Sequence, residues 1–418
     1  MLTSQNPSSH SGTAQLESRP ATTAPAEATS RPGRLPQLDV LRAVAILLVL
    51  GAHPLVTWQK AGPLWPAARA WVQVSWTGVN LFFVLSGFLI GGLLFAEIRA
   101  TGSLNVRQFM IRRAFKIWPA YYVYLLLLAY LCLKLGPPEG ISVADLVPFL
   151  VHVQNYFGRL DLLGPHTWSL AVEEHFYLAL PLLLALVLAL VPKLSLGTRR
   201  RGWTAAAPIS GFIVLAIVCA WLRFLQGDLL PLILTHLCID SLGFGVLLAF
   251  LFHYHPSTFE RIARHRVLLM FGGLCLVALA SAPGRTPDAW GYALIPVGLY
   301  LGYGAILVAM MAMPLARFQS WPLRALTLVG FYSYSIYLWH VDIAYRLLEI
   351  PRDTEWAKAL PGWLLWALGM SLYVLLAVGT GVLMSRCIEM PALALRDRLF
   401  PRKAKLIAGD ATVASTRL

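Results

Sequence analysis

Two adjacent carboxylates and an imidazole, Glu173, Glu174 and His175, stand in the decapeptide WSLAVEEHFY at residues 168–177. The uncharged run LALPLLLALVLALVP follows, and together they are long enough to cross a bilayer. An acidic side chain at the centre of a membrane helix costs roughly 2.5–3.5 kcal/mol, so such a residue usually has a function. A carboxylate beside a histidine offers a general acid–base pair. We therefore expect a site at the beginning of this segment.

Other apolar segments of the chain also carry ionisable side chains. Arg42 and His53 lie eleven residues apart in the first segment, and His340 lies in the ninth. If the segments alternate in direction, His53, Glu173 and His340 come to the same outer level of the membrane. We predict that these groups form a pocket able to move a proton.

Arg112, Arg113 and Lys116 form a basic group just before the third apolar segment. Guanidinium groups bind phosphates through paired hydrogen bonds, which makes this group a candidate site for a phosphate-bearing molecule. The same residues also suit an ordinary anchor, because cytoplasmic loops are enriched in Lys and Arg. Both interpretations place the group on the cytoplasmic side, opposite the predicted level of Glu173.

Each candidate also has a structural interpretation. His53 is equally a helix residue packed against a carbonyl, and Glu173 or Glu174 suits the N-terminus of a helix, which favours acidic groups. Asp240 in the sixth segment either contributes to the site or forms an ion pair with Arg223 in the fifth. The sequence alone leaves these alternatives open.

The elements that would position these residues are membrane helices. The chain has 418 residues, of which 58% are hydrophobic and 13% charged, whereas soluble proteins average about 25% charged residues. We predict an all-α, polytopic membrane protein with about ten transmembrane helices. The predicted spans are 40–56, 79–96, 119–135, 168–191, 205–225, 229–252, 267–282, 291–313, 326–345 and 363–386.

Basic residues predict the orientation of these spans. The net charge is +14, and alternate loops hold about twice as many Lys and Arg residues as the others. This asymmetry predicts that both termini are cytoplasmic, and it suits membrane topology better than nucleic-acid binding. We predict a disordered cytoplasmic tail at 1–37, a transmembrane domain at 38–395 and a basic cytoplasmic tail at 396–418.

Cysteine and histidine spacings favour neither disulfides nor metal. All five cysteines fall in apolar segments and no CxxC occurs. His166, Glu173 and His175 do not match a recognised zinc spacing, so we predict no metal site.

Six blocks, in order, resemble the acyltransferase 3 family of integral-membrane O-acyltransferases over residues 38–395. The first carries an Arg, ten residues and a His, here Arg42 and His53, and the last ends in Glu-x-Pro. The blocks are LDVLRAVAILLVLGAH (38–53), GVNLFFVLSGFLIG (78–91), FMIRRAFKIWPAYY (109–122), WSLAVEEHFY (168–177), YSYSIYLWH (332–340) and CIEMP (387–391).

The resemblance implies transfer of an acyl group, often acetyl, from acyl-CoA to a hydroxyl, usually on a carbohydrate. It implies that His53 is the catalytic base with Arg42 as its helix partner, and that Arg112 and Arg113 hold the CoA phosphates. Glu173 matches the acidic position of its block and would orient His53. The further candidate residues are Lys116 for CoA and Trp168, Ser169, Tyr177, Asp240, Tyr337 and His340 for the substrate.

Two positions depart from the family pattern. Asn80 stands where the family often has Asp, and Lys116 stands where Arg is common, so a positive charge survives without a bidentate fork. Many members carry an appended extracytoplasmic domain, and we expect this chain to act alone or with a separate periplasmic or extracellular partner in a bacterial inner membrane.

Two other function classes fit the composition. A secondary transporter or exporter would also have about ten spans and intramembrane charges. A non-catalytic membrane scaffold or sensor would have little use for so many buried ionisable groups. Binding of acyl-CoA with release of free CoA would distinguish the enzyme from both. The sequence leaves the acceptor, the acyl chain length and the choice between direct transfer and an acyl-enzyme open.

Overall fold

The computed structural model describes the chain in nine stretches, and these contain helices joined by turns and no strand. The all-α prediction is confirmed. The predicted base His53 lies outside the described residues, as do 1–34 and 402–418 of the two predicted tails. The described stretches are 35–52, 62–135, 142–160, 164–190, 206–227, 232–282, 288–315, 320–341 and 359–401.

Long apolar helices dominate the first half. The α-helices are α1 (Pro36–Gly51), α2 (Trp65–Ser75), α3 (Gly78–Thr101), α4 (Val106–Leu135), α5 (Val147–Leu150), α6 (Gln154–Phe157), α7 (Trp168–Leu190) and α8 (Ala206–Gln226). Single 3-10 turns at Gly62–Leu64, Val143–Leu146 and Pro165–Thr167 precede α2, α5 and α7. The stretch 143–157, which the sequence marks as short, apolar and broken by Pro148, is thus three helical turns rather than a span.

The second half has the same character. Its helices are α9 (Thr235–Tyr254), α10 (Pro256–Ala263), α11 (Arg266–Ala280), α12 (Ala289–Met311), α13 (Trp321–Phe331), α14 (Ser333–Trp339), α15 (Gly362–Met384) and α16 (Met390–Leu399). A π-helical turn, Ser385–Glu389, joins α15 to α16. The predicted basic tail therefore begins inside α16, which ends at Leu399.

Seven helices within the described stretches are long and apolar enough to cross a membrane, or eight if α10 and α11, bent by 76°, form one span. The predicted count of about ten is not confirmed. The predicted first span, 40–56, is helical only to Gly51 and then leaves the described residues. The predicted ninth span, 326–345, is interrupted at Tyr332 between α13 and α14. The predicted cytoplasmic location of the termini stays a prediction.

The outer faces of the long helices are apolar. Leu126 and Leu133 on α4 and Val214 and Ile217 on α8 are all exposed. A soluble protein rarely exposes apolar surface on this scale. Lipid is the solvent that such faces require.

Close helix contacts hold the bundle that carries the site. At the crossing of α3 and α9, a Cβ added to Gly87 would lie 2.0 Å from the backbone oxygen of Leu242, and one added to Gly245 would lie 2.2 Å from that of Val84. Only glycine permits this approach, which is how small residues bring membrane helices together. The crossing fixes α3 against its neighbours, and α3 carries one of the site residues described below.

Candidate active site

Glu173, on the second turn of α7, is held by two hydroxyl groups. Ser86 on α3 donates a hydrogen bond to Glu173 Oε1 at 2.6 Å, and Tyr177, one turn later on α7, donates to Oε2 at 2.9 Å. The two hydroxyl oxygens lie 3.0 Å apart. The carboxylate is therefore fixed from both sides, by α3 and by its own helix. The sequence pattern did not single out Ser86 as a site residue.

Two arginines act on this carboxylate. The guanidinium carbon of Arg113 lies 5.6 Å from the ring centroid of Tyr177, within cation–π range. The charges of Arg113 on α4 and Arg42 on α1 both interact with Glu173. Four helices thus meet at one charged group, which we call the Glu173 cluster. Its members are Arg42, Ser86, Arg113, Glu173 and Tyr177.

This arrangement corrects the prediction that Arg113 and Glu173 lie on opposite sides of the membrane. α4 begins at Val106, so Arg113 lies about two turns inside the helix rather than in a loop. α4 and α7 pass each other in opposite directions, with Arg113 beside Tyr177 and Trp118 beside Glu174. Loop charges indicated the direction of each helix but not its depth.

Lys116 lies one turn further along α4 and has a carboxylate partner. Its Nζ donates to Glu389 Oε1 in the π-helical turn. Ser335 on α14 donates to the other oxygen of Glu389 at 2.7 Å, and Ser385 donates to it at 3.0 Å. Lys116, predicted to bind CoA, thus ties α4 to the end of α15. Glu389 is the Glu of the closing Glu-x-Pro block, and the site prediction omitted it.

Arg112 faces a different way from Arg113, because consecutive residues of a helix are about 100° apart. Its Nη1 donates to the backbone oxygen of Phe400 at 2.6 Å, and its Nη2 donates to Asp397 Oδ1 at 3.0 Å. Asp397 is exposed and also pairs with Arg396. The three predicted phosphate ligands on α4 therefore have three separate surroundings.

A second polar group lies at the beginning of α7. Tyr337 on α14 donates to the backbone oxygen of His166 at 2.7 Å, and its hydroxyl lies 2.6 Å from Ser169 Oγ. The rings of His166 and His340 are 5.1 Å apart. We call His166, Ser169, Tyr337 and His340 the Tyr337 cluster, and all four are buried.

Both histidines of the Tyr337 cluster contact backbone carbonyls. His166 Nε2 lies 3.0 Å from the oxygen of Leu338, and His340 Nδ1 lies 2.6 Å from that of Tyr337. A carbonyl oxygen only accepts, so these two nitrogens carry protons. The structure thus brings together three of the candidate residues, Ser169, Tyr337 and His340, and adds His166, which the sequence suggested only as an unsuitable zinc ligand.

Asp240 belongs to neither cluster. Its two oxygens accept hydrogen bonds from Arg223 Nη1 at 3.1 Å and Nη2 at 2.9 Å, and both side chains are 0% exposed. Arg223 also donates to the backbone oxygens of Leu237 at 2.6 Å and Ala293 at 3.2 Å. Of the two sequence-based interpretations, the geometry favours the structural ion pair, which ties α8 to α9 and α12.

Residues 35–384 match the family model described as an acyltransferase domain, that of the acyltransferase 3 family. The chain belongs to this family. The match covers the helices that supply the Glu173 and Tyr337 clusters. It ends before Glu389 and Asp397, the partners of Lys116 and Arg112.

Several bacterial proteins are similar to this acyltransferase family member. It is 27% identical over 353 residues to the peptidoglycan O-acetyltransferase OatA of Listeria monocytogenes, covering 78% of this chain and 52% of that protein. It is 27% identical over 330 residues to the O-acetyltransferase OatA of Staphylococcus aureus, covering 75% of this chain and 51% of that protein. The chain thus spans about half the length of these curated relatives. No solved structure gives a significant match.

The family match and the apolar helices together identify a multi-pass membrane protein. Trp168, also predicted as a site residue, packs edge-on against Phe83 with ring centroids 5.9 Å apart. Among the residues that the structure describes, no group of three or more His, Cys, Asp or Glu side chains could hold a metal ion.

Proposed function

We propose that this chain moves an acyl group, acetyl in the first instance, from acyl-CoA to a hydroxyl of a carbohydrate. The observation that carries the proposal is the Glu173 cluster, where arginines of α1 and α4 meet a fixed carboxylate inside a bundle of the acyltransferase 3 family. The names of the relatives, O-acetyltransferases and in one case a peptidoglycan O-acetyltransferase, support the choice of acetyl and carbohydrate. We propose a bacterial inner membrane as its location, in keeping with these relatives.

The Glu173 cluster is the proposed binding region for the acyl donor, acyl-CoA. Arg113 and Arg42 carry the charge that phosphate groups of CoA require, and guanidinium groups bind phosphates bidentately. Glu173 has the role of a positioning residue, since its charge interacts with both arginines. Arg112 holds a carboxylate and a carbonyl at the end of α16, which are groups that a phosphate could replace.

We retain His53 as the proposed base, on the grounds of its sequence block. It follows Gly51, the last residue of α1, by two positions. Val49 and Leu50 of this helix end belong to the same apolar core as Tyr337 and Trp339, which supports a reaction centre beside the Tyr337 cluster.

We keep Glu173 as the proposed partner that orients His53, which lies outside the described residues. Glu173 comes one helical turn after Ser169 on α7, so the Glu173 and Tyr337 clusters adjoin each other.

The proposed reaction is a direct transfer. His53 accepts the proton of the acceptor hydroxyl while the hydroxyl oxygen forms a bond to the thioester carbonyl carbon. The carbon–sulfur bond then breaks, and the CoA thiolate leaves and takes the proton from the imidazolium. General base help of this kind contributes roughly 10²–10⁴-fold.

Purified protein in lipid nanodiscs provides the test. Wild-type protein should bind acetyl-CoA and release free CoA faster when a carbohydrate is added. His53→Ala should keep its acetyl-CoA affinity and lose roughly 10²–10⁴-fold in acceptor-dependent CoA release. Arg261→Ala, an exposed position on α10, serves as the control and should behave as wild type. Failure of wild-type protein to bind acetyl-CoA, or full activity of His53→Ala, would refute the proposal. The transporter alternative is not favoured by the family match.

A further inference from the structure

The segment between α4 and α7 is fixed against the side of α4. Tyr121 donates a hydrogen bond to the backbone oxygen of Phe149 at 2.9 Å, and Tyr122 donates to that of Leu150 at 3.0 Å. Gln154 Nε2 donates to the backbone oxygen of Thr167 at 2.9 Å, just before α7. The helical turns α5 and α6 therefore form a defined wall beside α4.

His152 occupies an unusual position in this wall. Its φ of 57° is the one left-handed value of a non-glycine residue among the described stretches. The side chain is 7% exposed and stacks on Tyr121 with ring centroids 4.5 Å apart. Within the described residues neither ring nitrogen has a hydrogen-bond partner. Backbone strain that persists at a buried, unpartnered polar group commonly marks a functional site.

The protonation state of His152 defines what it can bind. Burial lowers the pKa of His152 to about 4. At neutral pH the ring therefore has no charge and offers one N–H donor and one acceptor nitrogen. Such a ring suits a hydroxyl group, which can accept and donate at once.

Glu174 supplies a second unsatisfied group nearby. Its Oε2 accepts a hydrogen bond from Trp118 Nε1 at 3.2 Å, whereas Oε1 is buried and has no partner in the described part of the chain. The ring of Trp118 is 6.5 Å from that of His152 and nearly parallel to it, at 25°. Trp118 is 40% exposed. An accessible indole thus lies between an unsatisfied carboxylate oxygen and an unsatisfied imidazole.

The far side of this group is also ordered. His175 hydrogen-bonds to the backbone of His152, and its Nδ1 lies 2.7 Å from Thr235 Oγ1 on α9. Asn155 Nδ2 donates to the same hydroxyl at 2.9 Å. The wall is therefore tied to α7 and α9 as well as to α4, and the unsatisfied groups are not the result of a loose loop.

We propose that Trp118, His152 and Glu174 form a carbohydrate-binding subsite that holds the acceptor. The apolar C–H face of a sugar ring packs on the indole, while one hydroxyl donates to Glu174 and another bonds to His152. Among the described residues no group of three His, Cys, Asp or Glu side chains could hold a metal ion here, and a lipid acyl chain would satisfy neither polar group. The proposal rests on the proposed function and names where its acceptor binds.

The subsite lies close to the proposed binding region for the acyl donor. Trp118 follows Arg113 by five residues on α4, a rise of about 7.5 Å. An acceptor held at Trp118 would therefore lie within one to two helical turns of the arginine proposed to bind the donor phosphates.

Sugar binding can be measured without any transfer reaction. Saturation-transfer NMR on nanodisc-embedded protein would use a β-linked N-acetylglucosamine trisaccharide and an α-linked glucose trisaccharide as probes. Wild-type protein should bind at least one of them, and Trp118→Leu, Glu174→Gln and His152→Asn should each weaken binding about tenfold or more. Asn is chosen for position 152 because it tolerates left-handed backbone.

Tyr130→Leu is the matched control, because Tyr130 is an exposed aromatic residue on the same helix and should bind sugar as wild type does. Unchanged acetyl-CoA affinity identifies the variants that are folded. Trp118→Phe should lose less sugar affinity than Trp118→Leu, since phenylalanine keeps an aromatic surface on which a sugar ring can stack. Wild-type protein that binds neither sugar, or three folded variants that bind as wild type does, would overturn the subsite.

The outcomes separate the subsite from the proposed function. Wild-type protein that binds a sugar through these residues but never transfers an acyl group to it would refute the proposed function and leave the subsite standing. Wild-type protein that acetylates a simple alcohol but binds neither sugar would refute the subsite and leave acyl transfer standing.

Discussion

Two acidic residues of the bundle, Asp240 and Glu173, are each close to arginine but differ in what satisfies them. Asp240 accepts two hydrogen bonds from Arg223 and a third from the backbone N–H of Ser241, and the Arg223 and Asp240 side chains are both 0% exposed. Arg223 gives its other donors to backbone carbonyls. This pair is closed, because neither partner has a charge left to offer a ligand.

Glu173 is satisfied in another way. Its hydrogen bonds come from the hydroxyls of Ser86 and Tyr177. Arg113 lies over the Tyr177 ring, and Arg42, whose side chain is 36% exposed, pairs with Asp39 at 3.3 Å. The charges of both arginines also interact with this carboxylate. Arg223 thus gives four of its five N–H donors to Asp240 and to backbone carbonyls, whereas hydroxyl groups hold Glu173. We infer that the first arrangement is structural and that the second suits a binding site.

The largest expected effect is on the free energy of unfolding, when the Arg223–Asp240 pair is broken. Asp240→Ala leaves Arg223 buried without its counter-charge, so the free energy of unfolding should fall by about 3–5 kcal/mol. Detergent-induced unfolding followed by tryptophan fluorescence would measure it. Acetyl-CoA affinity of the folded fraction should stay as in wild type.

A double variant is the control for Asp240→Ala. Arg223→Met combined with Asp240→Leu removes both charges and should recover most of the lost stability, because apolar residues of similar size replace a buried ion pair at little cost. If the Asp240→Ala protein were stable but inactive, Asp240 would have a functional rather than a structural role.

Arg113 should show the opposite behaviour. Arg113→Ala removes a proposed phosphate ligand, and the lost charge-assisted hydrogen bonds, about 1.5–3 kcal/mol, correspond to roughly ten- to a hundredfold weaker acetyl-CoA binding. Stability should change little, since Glu173 keeps its two hydroxyl partners. Calorimetric titration of acetyl-CoA would test this, with Arg261→Ala as the control. Equal CoA affinity in Arg113→Ala and wild type would end the contrast with Arg223.

The sequence predicted the helical character and the polar residues, but not the level at which they meet. Apolar runs and loop charges predict the position of each helix in the chain and its direction. They contain no information on the axial position of α4 relative to α7. For this reason Arg113 and Glu173 were predicted to lie far apart. The depth of each charge follows from side-chain packing between helices.

Long-range partners were also beyond the sequence pattern. Lys116 and Glu389 are 273 residues apart, and Ser86 and Glu173 are 87 apart, so no local spacing connects them. The Arg223–Asp240 pair, whose members are 17 residues apart on neighbouring spans, was one of the two interpretations that the sequence left open. His152 lies in the stretch 143–157, whose sequence is short, apolar and broken by Pro148 but gave no reason to single out its histidine.

A smaller effect is expected at Ser86. Ser86→Ala removes one of the two hydroxyls that hold Glu173 and should lower acceptor-dependent CoA release about five- to tenfold, equivalent to about 1 kcal/mol. Ser210→Ala is the matched control, because Ser210 is exposed and bonds only within α8. Adding Tyr177→Phe should give a loss that differs from the sum of the two, since both hydroxyls serve one carboxylate. Strict additivity would show that the hydroxyls act separately.

The smallest expected effect is the pH dependence of stability through His152, a neutral side chain. His152 has a pKa of about 4 in the folded protein because it is buried, whereas an unfolded histidine titrates near 6.5. Between these values the unfolded chain binds more protons, so the stability that the neutral ring permits is complete above about pH 6.5 and is lost as the pH falls towards 4. The free energy of unfolding at pH 5.5 should therefore be about 1 kcal/mol below that at pH 7.5 through this residue. Subtracting the same profile measured on His152→Asn isolates this contribution, and identical profiles would mean that His152 is solvated or partnered, and hence no marker of a ligand site.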